Sequence, residues 1–334
     1  TYTNEKTHDI IRENIMRAPK YAGKIHGIGA RYCPSIEDKV VRFADKDRHQ
    51  LFVEPEGLDT TEMYVQGMST SMPIDVQYAF LRTIPGFEDV KMMRPAYAIE
   101  YDLLDPLQLY PTLEVIKLPG LYSAGQSNGT SGYEEAAAQG LVAGINAALK
   151  IQGKDPFILA RHEAYIGSLV DDLVTKGADE PYRMMTSRSE YRLILRQDNA
   201  DLRLTEKGHS IGLVREERYA RFLERKKKYE EAMDYIRTQR FTPKEEINQA
   251  LESMGTAPLT TGTGVDQILK RPEMTYWKMM EMLGCPAFDE EAVEEMEITV
   301  KYEGYIARQE AAVRKAARME NEKLPPDMDY LSLD

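Results

Sequence analysis

The chain has 334 residues, 42% hydrophobic and 29% charged, a composition that supports more than one buried core and excludes intrinsic disorder. Its formal charge of −12 argues against a protein that coats nucleic acid over its whole surface, although a local basic patch is compatible with it. The longest apolar runs, such as residues 115–125, are too short and interrupted to cross a bilayer, so no membrane association is expected.

The two cysteines, Cys33 and Cys285, are far apart and lack CxxC spacing, which fits a reducing, cytoplasmic setting. The five histidines form no ligand-spaced cluster, so no metal site is expected. No signal-peptide pattern opens the chain, and its start at Thr1 without Met reads as a piece of a longer protein.

In chain order, residues 7–18 read as a short helix stopped by Pro19, with Ile10, Ile11 and Ile15 on one face. Residues 34–46 read as a second helix, with Pro34 at its first position and Ile36, Val40 and Phe43 recurring along one side. A strand is expected over 49–54 and a helix near 74–83. Residues 120–149 read as strand, glycine-rich turn and helix. Beyond 156 the chain is mostly helix-forming, with breaks at Pro181, at 256–264 and at 284–286. These expectations divide the chain into an α+β part over 1–115, a strand–helix unit over 116–150 and a helical domain over 151–334.

Three stretches carry chemistry. The turn Gly125-Gln-Ser-Asn-Gly-Thr-Ser-Gly132 lets backbone approach a ligand closely, and the helix after it offers oriented N–H groups. A plain tight βα crossing explains the same residues, helped by the small stripe Ala136, Gly140 and Gly144. Cys33 falls at the expected N-cap of the second helix, where the helix end and Arg31 favour thiolate while Glu37 and Asp38 oppose it. A small buried cysteine is the alternative. Residues 181–228 hold thirteen Lys and Arg against seven Asp and Glu, a net of +6. There Arg188, Arg192 and Arg196 recur every four residues, so a helix would align them for phosphate clamping, with Tyr182 and Tyr191 interleaved for stacking. The other reading is a solvated face paired with Glu190, Asp198 and Asp201.

The strings TNEKTHDIIR at 3–12, RYCPSIEDKVVRFADKDRHQ at 31–50, RPAYAIEYD at 94–102, GLYSAGQSNGTSGYEEAAAQG at 120–140, YIGSLVDDL at 165–173, PYRMMTSRSEYRLILRQDNADLR at 181–203, KRPEMTYWKM at 270–279 and VKYEGYIARQ at 300–309 resemble the GidA/MnmG family. That resemblance implies an α/β plus all-α protein. It would comprise part of a two-dinucleotide-fold, glutathione-reductase-like FAD-binding domain with an α+β insertion, followed by a helical C-terminal domain. It implies FAD contacts at Gly125, Gln126, Asn128 and Gly129, with NAD(H) contacts at Gly29, Arg31, Tyr32, Pro34, Ser35, Glu37, Asp38, Lys39, Arg42 and Phe43. Cys33 would be the catalytic nucleophile, and Arg183, Arg188, Arg192, Arg196 and Arg203 would meet tRNA.

The implied reaction is FAD-dependent modification of the wobble uridine U34 of tRNA. It places a carboxymethylaminomethyl or aminomethyl group at C5, using methylenetetrahydrofolate as one-carbon donor and NADH as reductant. The implied assembly is a homodimer joined by the GTPase MnmE in a heterotetramer. The family's GxGxxG is absent from this sequence, since Gly27-Ile-Gly29 lacks the third glycine and the βαβ context. Two other readings stay open: a folate- and FAD-dependent tRNA uridine C5 methyltransferase, and a non-catalytic RNA-binding fragment.

Overall fold

The computed structural model describes residues 1–25, 34–99, 102–320 and 323. The chain divides into two compact units, Thr1–Ala147 with Asp172–Arg183, and Ala148–Asp171 with Met184–Asp334.

In the first unit α1 (Glu5–Glu13) opens on a capping box. The Asn4 side chain accepts from the Thr7 N–H at 3.1 Å and the Thr7 hydroxyl accepts from the Asn4 N–H at 3.2 Å, which satisfies two otherwise orphaned donors. The helix stops at Glu13, and a short 3-10 turn, Ile15–Arg17, covers the rest of the expected span. Helix α2 (Ile36–Arg42) is shorter than expected and is capped by Ser35, whose hydroxyl accepts from the Asp38 N–H at 3.2 Å. The cap therefore lies two residues beyond Cys33, because a hydroxyl is a far better N-cap acceptor than a thiol.

The strands β1 (Phe52–Pro55) and β2 (Met63–Gln66) form an antiparallel hairpin with Val53 opposite Val65. The strand starts three residues later than expected because residues 49–51 bond to the chain start instead. The Thr3 N–H donates to His49 O and the Leu51 N–H to Thr1 O, both at 2.9 Å. Helix α3 (Ile74–Leu81) closes a core of Ile11, Ile36, Val40, Leu51, Met72, Val76, Phe80 and Ile84, all but shut off from water.

The expected strand at 121–124 reduces to one bridge between Tyr122 and Glu114. Its backbone bonds locally: Val115 N–H to Leu121 O at 2.8 Å and Ser123 N–H to Leu113 O at 3.1 Å. A dinucleotide fold needs parallel neighbours for that strand. Among the described residues the sheets are two antiparallel pairs, so the parallel dinucleotide sheet is absent from them. The long helix α4 (Tyr133–Ile151) follows, then α5 (Tyr165–Lys176).

The second unit is helical: α6 (Ala200–Ser210), α7 (Glu216–Thr238), α8 (Glu245–Ser253), α9 (Val265–Leu269), α10 (Tyr276–Leu283), α11 (Glu290–Lys301) and α12 (Glu303–Glu320). The short pair β3 (Arg240–Phe241) and β4 (Thr263–Gly264) brackets α8. Its core is built from α7 to α11, with Ile236, Leu251, Ile268, Leu269, Tyr276, Met279, Val293 and Met296 buried. The break at 284–286 falls where expected: Gly284 ends α10 in the left-handed region at φ +68°. No described helix is long and apolar enough to cross a membrane.

Candidate functional site

The glycine-rich turn is a 3-10 turn, Gly125–Asn128, bounded by glycines whose backbone is left-handed, with φ +86° at Gly125 and +81° at Gly129. A Cβ at Gly129 would come within 2.8 Å of the Ala178 Cβ, so this position has neither the conformation nor the space for a side chain. The turn is fastened from beneath by Gln139 of α4, which is wholly buried. The Gln139 Oε1 accepts from the Gly125 N–H at 3.1 Å and from Asn128 Nδ2 at 2.8 Å. Its Nε2 donates to Thr130 Oγ1 at 2.9 Å and to Glu135 O at 3.1 Å. The Thr130 hydroxyl donates on to Gly125 O at 2.9 Å.

Asn128 is also wholly buried, donating to Ser123 O at 3.0 Å and accepting from the Ser123 hydroxyl at 2.6 Å. Its side chain is thus committed to holding the turn. Gln126 is different: it is exposed, and its side-chain amide forms no hydrogen bond among the described residues. Of the small stripe of α4, Ala136 lies against Gly125, while the two glycines have no close neighbour among the described residues. A Cβ at Gly140 or Gly144 would meet nothing within 4 Å. The buried face is instead Gln139, Val142, Ala143, Asn146 and Leu149.

Around α2, Gly29, Arg31, Tyr32 and Cys33 lie outside the described residues. Asp38 is buried, with Lys20 Nζ at 2.9 and 3.0 Å from its two oxygens and the Tyr21 hydroxyl donating at 2.9 Å. Burial opposes its charge, but the hydrogen bonds from Lys20 and Tyr21 prevail and hold its carboxyl below the usual range. Burial first, then the bond to Asp38, pushes the Tyr21 phenol up to about 12. The buried Glu37 accepts through Oε1 from the Ser71 N–H at 3.0 Å and hydroxyl at 2.9 Å. Lys39 donates to Gly67 O at 3.2 Å and Ser35 caps the helix. Pro34 is half-buried, while Arg42 and Phe43 are exposed. The acidic first turn of α2 is therefore spent inside the fold, and its last turn faces outward.

The arginine segment is not the helix its four-residue spacing suggests. Only Thr186–Arg188 forms a 3-10 turn, and residues 189–199 run as turns. Arg196 is largely buried and pairs with Asp198 at 2.9 Å and with the buried Glu295 of α11 at 3.0 Å. Arg203 donates to Asn199 Oδ1 at 2.9 Å, to Arg196 O at 3.0 Å and to Glu163 O. Arg183 lies 3.4 Å from the buried Glu135. Arg188 lends its carbonyl to Arg161. Arg192 alone of the five is exposed, and it forms no ion pair among the described residues.

Two residues organise this segment without any signal in the spacing. Arg161 grips Glu190 with two bonds, at 2.8 and 2.9 Å, and Asp171 at 2.9 Å. Burial, with Asp198 nearby, raises the Glu295 carboxyl to about 6 against the pull of Arg196 and Arg225. Gln139 had a legible signal: it is an amide on the same helical face as Val142, Ala143 and Asn146.

Two family descriptions match the chain: "Glucose inhibited division protein A" over residues 1–155, and "tRNA modifying enzyme MnmG/GidA C-terminal helical domain" over residues 216–310. The tRNA uridine 5-carboxymethylaminomethyl modification enzyme MnmG of Enterococcus faecalis is 56% identical across 100% of this chain and 53% of its own length. The enzyme of the same name from Caldicellulosiruptor saccharolyticus is 56% identical across 99% of this chain, again over 53% of its own length. The structure of Aquifex aeolicus GidA in its form II crystal superposes over 100% of this chain and 51% of that one, with a TM-score of 0.77 at 46% identity. The chain spans about half the length of the curated relatives it matches. Agreement of this kind along the whole chain, in sequence and in backbone, places the chain in the GidA/MnmG family.

Proposed function

We propose that this chain is part of a flavin-dependent enzyme that modifies the wobble uridine U34 of tRNA, placing a carboxymethylaminomethyl or aminomethyl group at C5. The observation that carries this reading is its similarity, along its entire length, to enzymes named for that modification. The turn at Gly125 suits FAD on its own chemistry. Two left-handed glycines allow close backbone approach, the interior amides hold the turn in shape, and the Gln126 amide is exposed to meet a heteroaromatic edge. Bound there, FAD would supply the redox chemistry that moves a one-carbon unit from methylenetetrahydrofolate, with NADH as reductant.

Cys33 is the proposed nucleophile. Addition of its thiolate at C6 of uracil makes C5 an enolate carbon able to attack a one-carbon electrophile. The target base must leave the anticodon stack to be reached. Arg192 is the exposed cation best suited to a phosphate of that tRNA, because Arg183, Arg196 and Arg203 are engaged within the fold. The whole enzyme is proposed to act in the cytoplasm as a homodimer with the GTPase MnmE.

The test is product formation by the full-length protein. Cys33→Ser is expected to abolish 5-carboxymethylaminomethyluridine while leaving tRNA affinity near wild type, since a nucleophile serves chemistry more than binding. Near-normal turnover by that variant would remove Cys33 from the mechanism.

A further inference from the structure

A primary amide offers two donor and two acceptor positions in one plane, and Gln139 uses all four. One bond returns to Glu135 O in its own helix, and the other three partners lie along one short segment. Gly125 is where the turn begins, Asn128 is its last residue, and Thr130 is where the chain leaves it. Thr130 closes the ring by returning its hydroxyl to the Gly125 carbonyl at 2.9 Å. Gln139, Asn128 and Thr130 are each at most 1% exposed, so water cannot replace a lost bond without opening the unit. The left-handed Gly125 has no side chain to anchor it, and both its N–H and its C=O are held, by Gln139 and by Thr130.

The geometry points to Gln139 as the positioning residue that fixes the shape of this turn and thereby sets the affinity and redox potential of the flavin that meets it. This rests on the reading of the turn as a flavin contact. Gln139 touches no ligand atom itself; it acts through Gly125 and Asn128. An apolar residue in its place leaves the Gly125 N–H buried without its acceptor and takes one partner each from Asn128 Nδ2 and Thr130 Oγ1. The turn must then rotate to recover bonds, carrying Gln126 away from where it faces outward.

The test uses full-length, FAD-loaded protein and reads the FAD dissociation constant, the flavin midpoint potential and the melting temperature. Gln139→Leu is expected to weaken FAD binding about tenfold, the effect of losing one polar contact at the turn, and to shift the potential. Thr130→Val should move both readouts in the same direction by less, and Thr130→Ser, which keeps the hydroxyl, should restore them. If Gln139→Leu does not fold, Thr130→Val against Thr130→Ser decides the matter. A lowered melting temperature with the dissociation constant and potential both at wild-type values would overturn the proposal and leave Gln139 a packing residue. Gln126→Ala separates the two levels of inference. Weakened FAD binding there, with Gln139→Leu silent, sinks only the positioning role. Unchanged binding in both variants sinks the flavin reading of the turn as well.

Discussion

Arg192 and Arg196 occupy equivalent places in the sequence pattern and opposite places in the fold. Arg196 is the main counter-charge of the buried Glu295, whose other cation, Arg225, lies 3.9 Å away. Truncating one partner of a buried pair strands the other, so Arg196→Ala is expected to cost about 2–4 kcal/mol in denaturant unfolding. Arg192→Ala should leave unfolding near wild type, weaken tRNA binding, and reduce the salt slope of that binding by up to about one unit. Equal unfolding midpoints for the two variants would refute the division. A second residue-scale prediction concerns the paired rings of His8 and His49, whose centroids lie 5.2 Å apart. Burial, then His49 and Arg12, lower the pKa of His8; burial and then Lys39 lower that of His49. The unfolded chain therefore binds protons more readily near the ordinary histidine pKa of about 6.5. Their stabilising contribution is complete above that pH and is lost as pH falls below it. The melting temperature should drop from pH 7.5 to 5.5, and the drop should shrink in a His8→Gln, His49→Gln double variant.

At the scale of elements, single positions decide how helices and turns begin. Ser35 supplies the cap of α2, and Ser35→Ala is expected to cost about 1 kcal/mol, read as a lower unfolding midpoint with unchanged denaturant slope. Cys33→Ala should not produce that loss, because the cap lies two residues further on. Gly129→Ala meets two penalties together, a left-handed backbone and a Cβ 2.8 Å from Ala178. It is expected to destabilise the first unit by more than the roughly 1 kcal/mol of left-handed strain alone. A melting temperature equal to wild type would show that Ala178 moves aside without cost.

For the whole molecule, the prediction is that this chain by itself does not keep FAD through gel filtration. Dinucleotide folds hold the pyrophosphate on a GxGxxG turn at a helix N-terminus, and this sequence carries none. The turn at Gly125 would add a few polar contacts of about 1 kcal/mol each. Immobilising a free ligand costs roughly 4–15 kcal/mol, which those contacts do not offset. Flavin absorbance co-eluting with the chain would mean that other residues hold the pyrophosphate.

The sequence by itself determined the family, through long strings in fixed order, and the helical character of the second unit, through propensity and glycine breaks such as Gly284. Both are written in local residue order, which is what motifs and periodicity report. It also singled out the turn at Gly125, because left-handed backbone is a local demand that only glycine meets freely. Tertiary structure decided which partners the polar residues meet. Arg196, Arg203 and Asp38 look like ligand-binding residues in a string. They are committed to Glu295, Glu163 and Lys20 by partners 99, 40 and 18 positions away in sequence, which no local pattern encodes. The same holds for residues 49–51, a strand by composition, whose pairing with the chain start moved β1 along the sequence. Hydrogen-bond partners are settled by which surfaces are buried together, and that is a property of the fold.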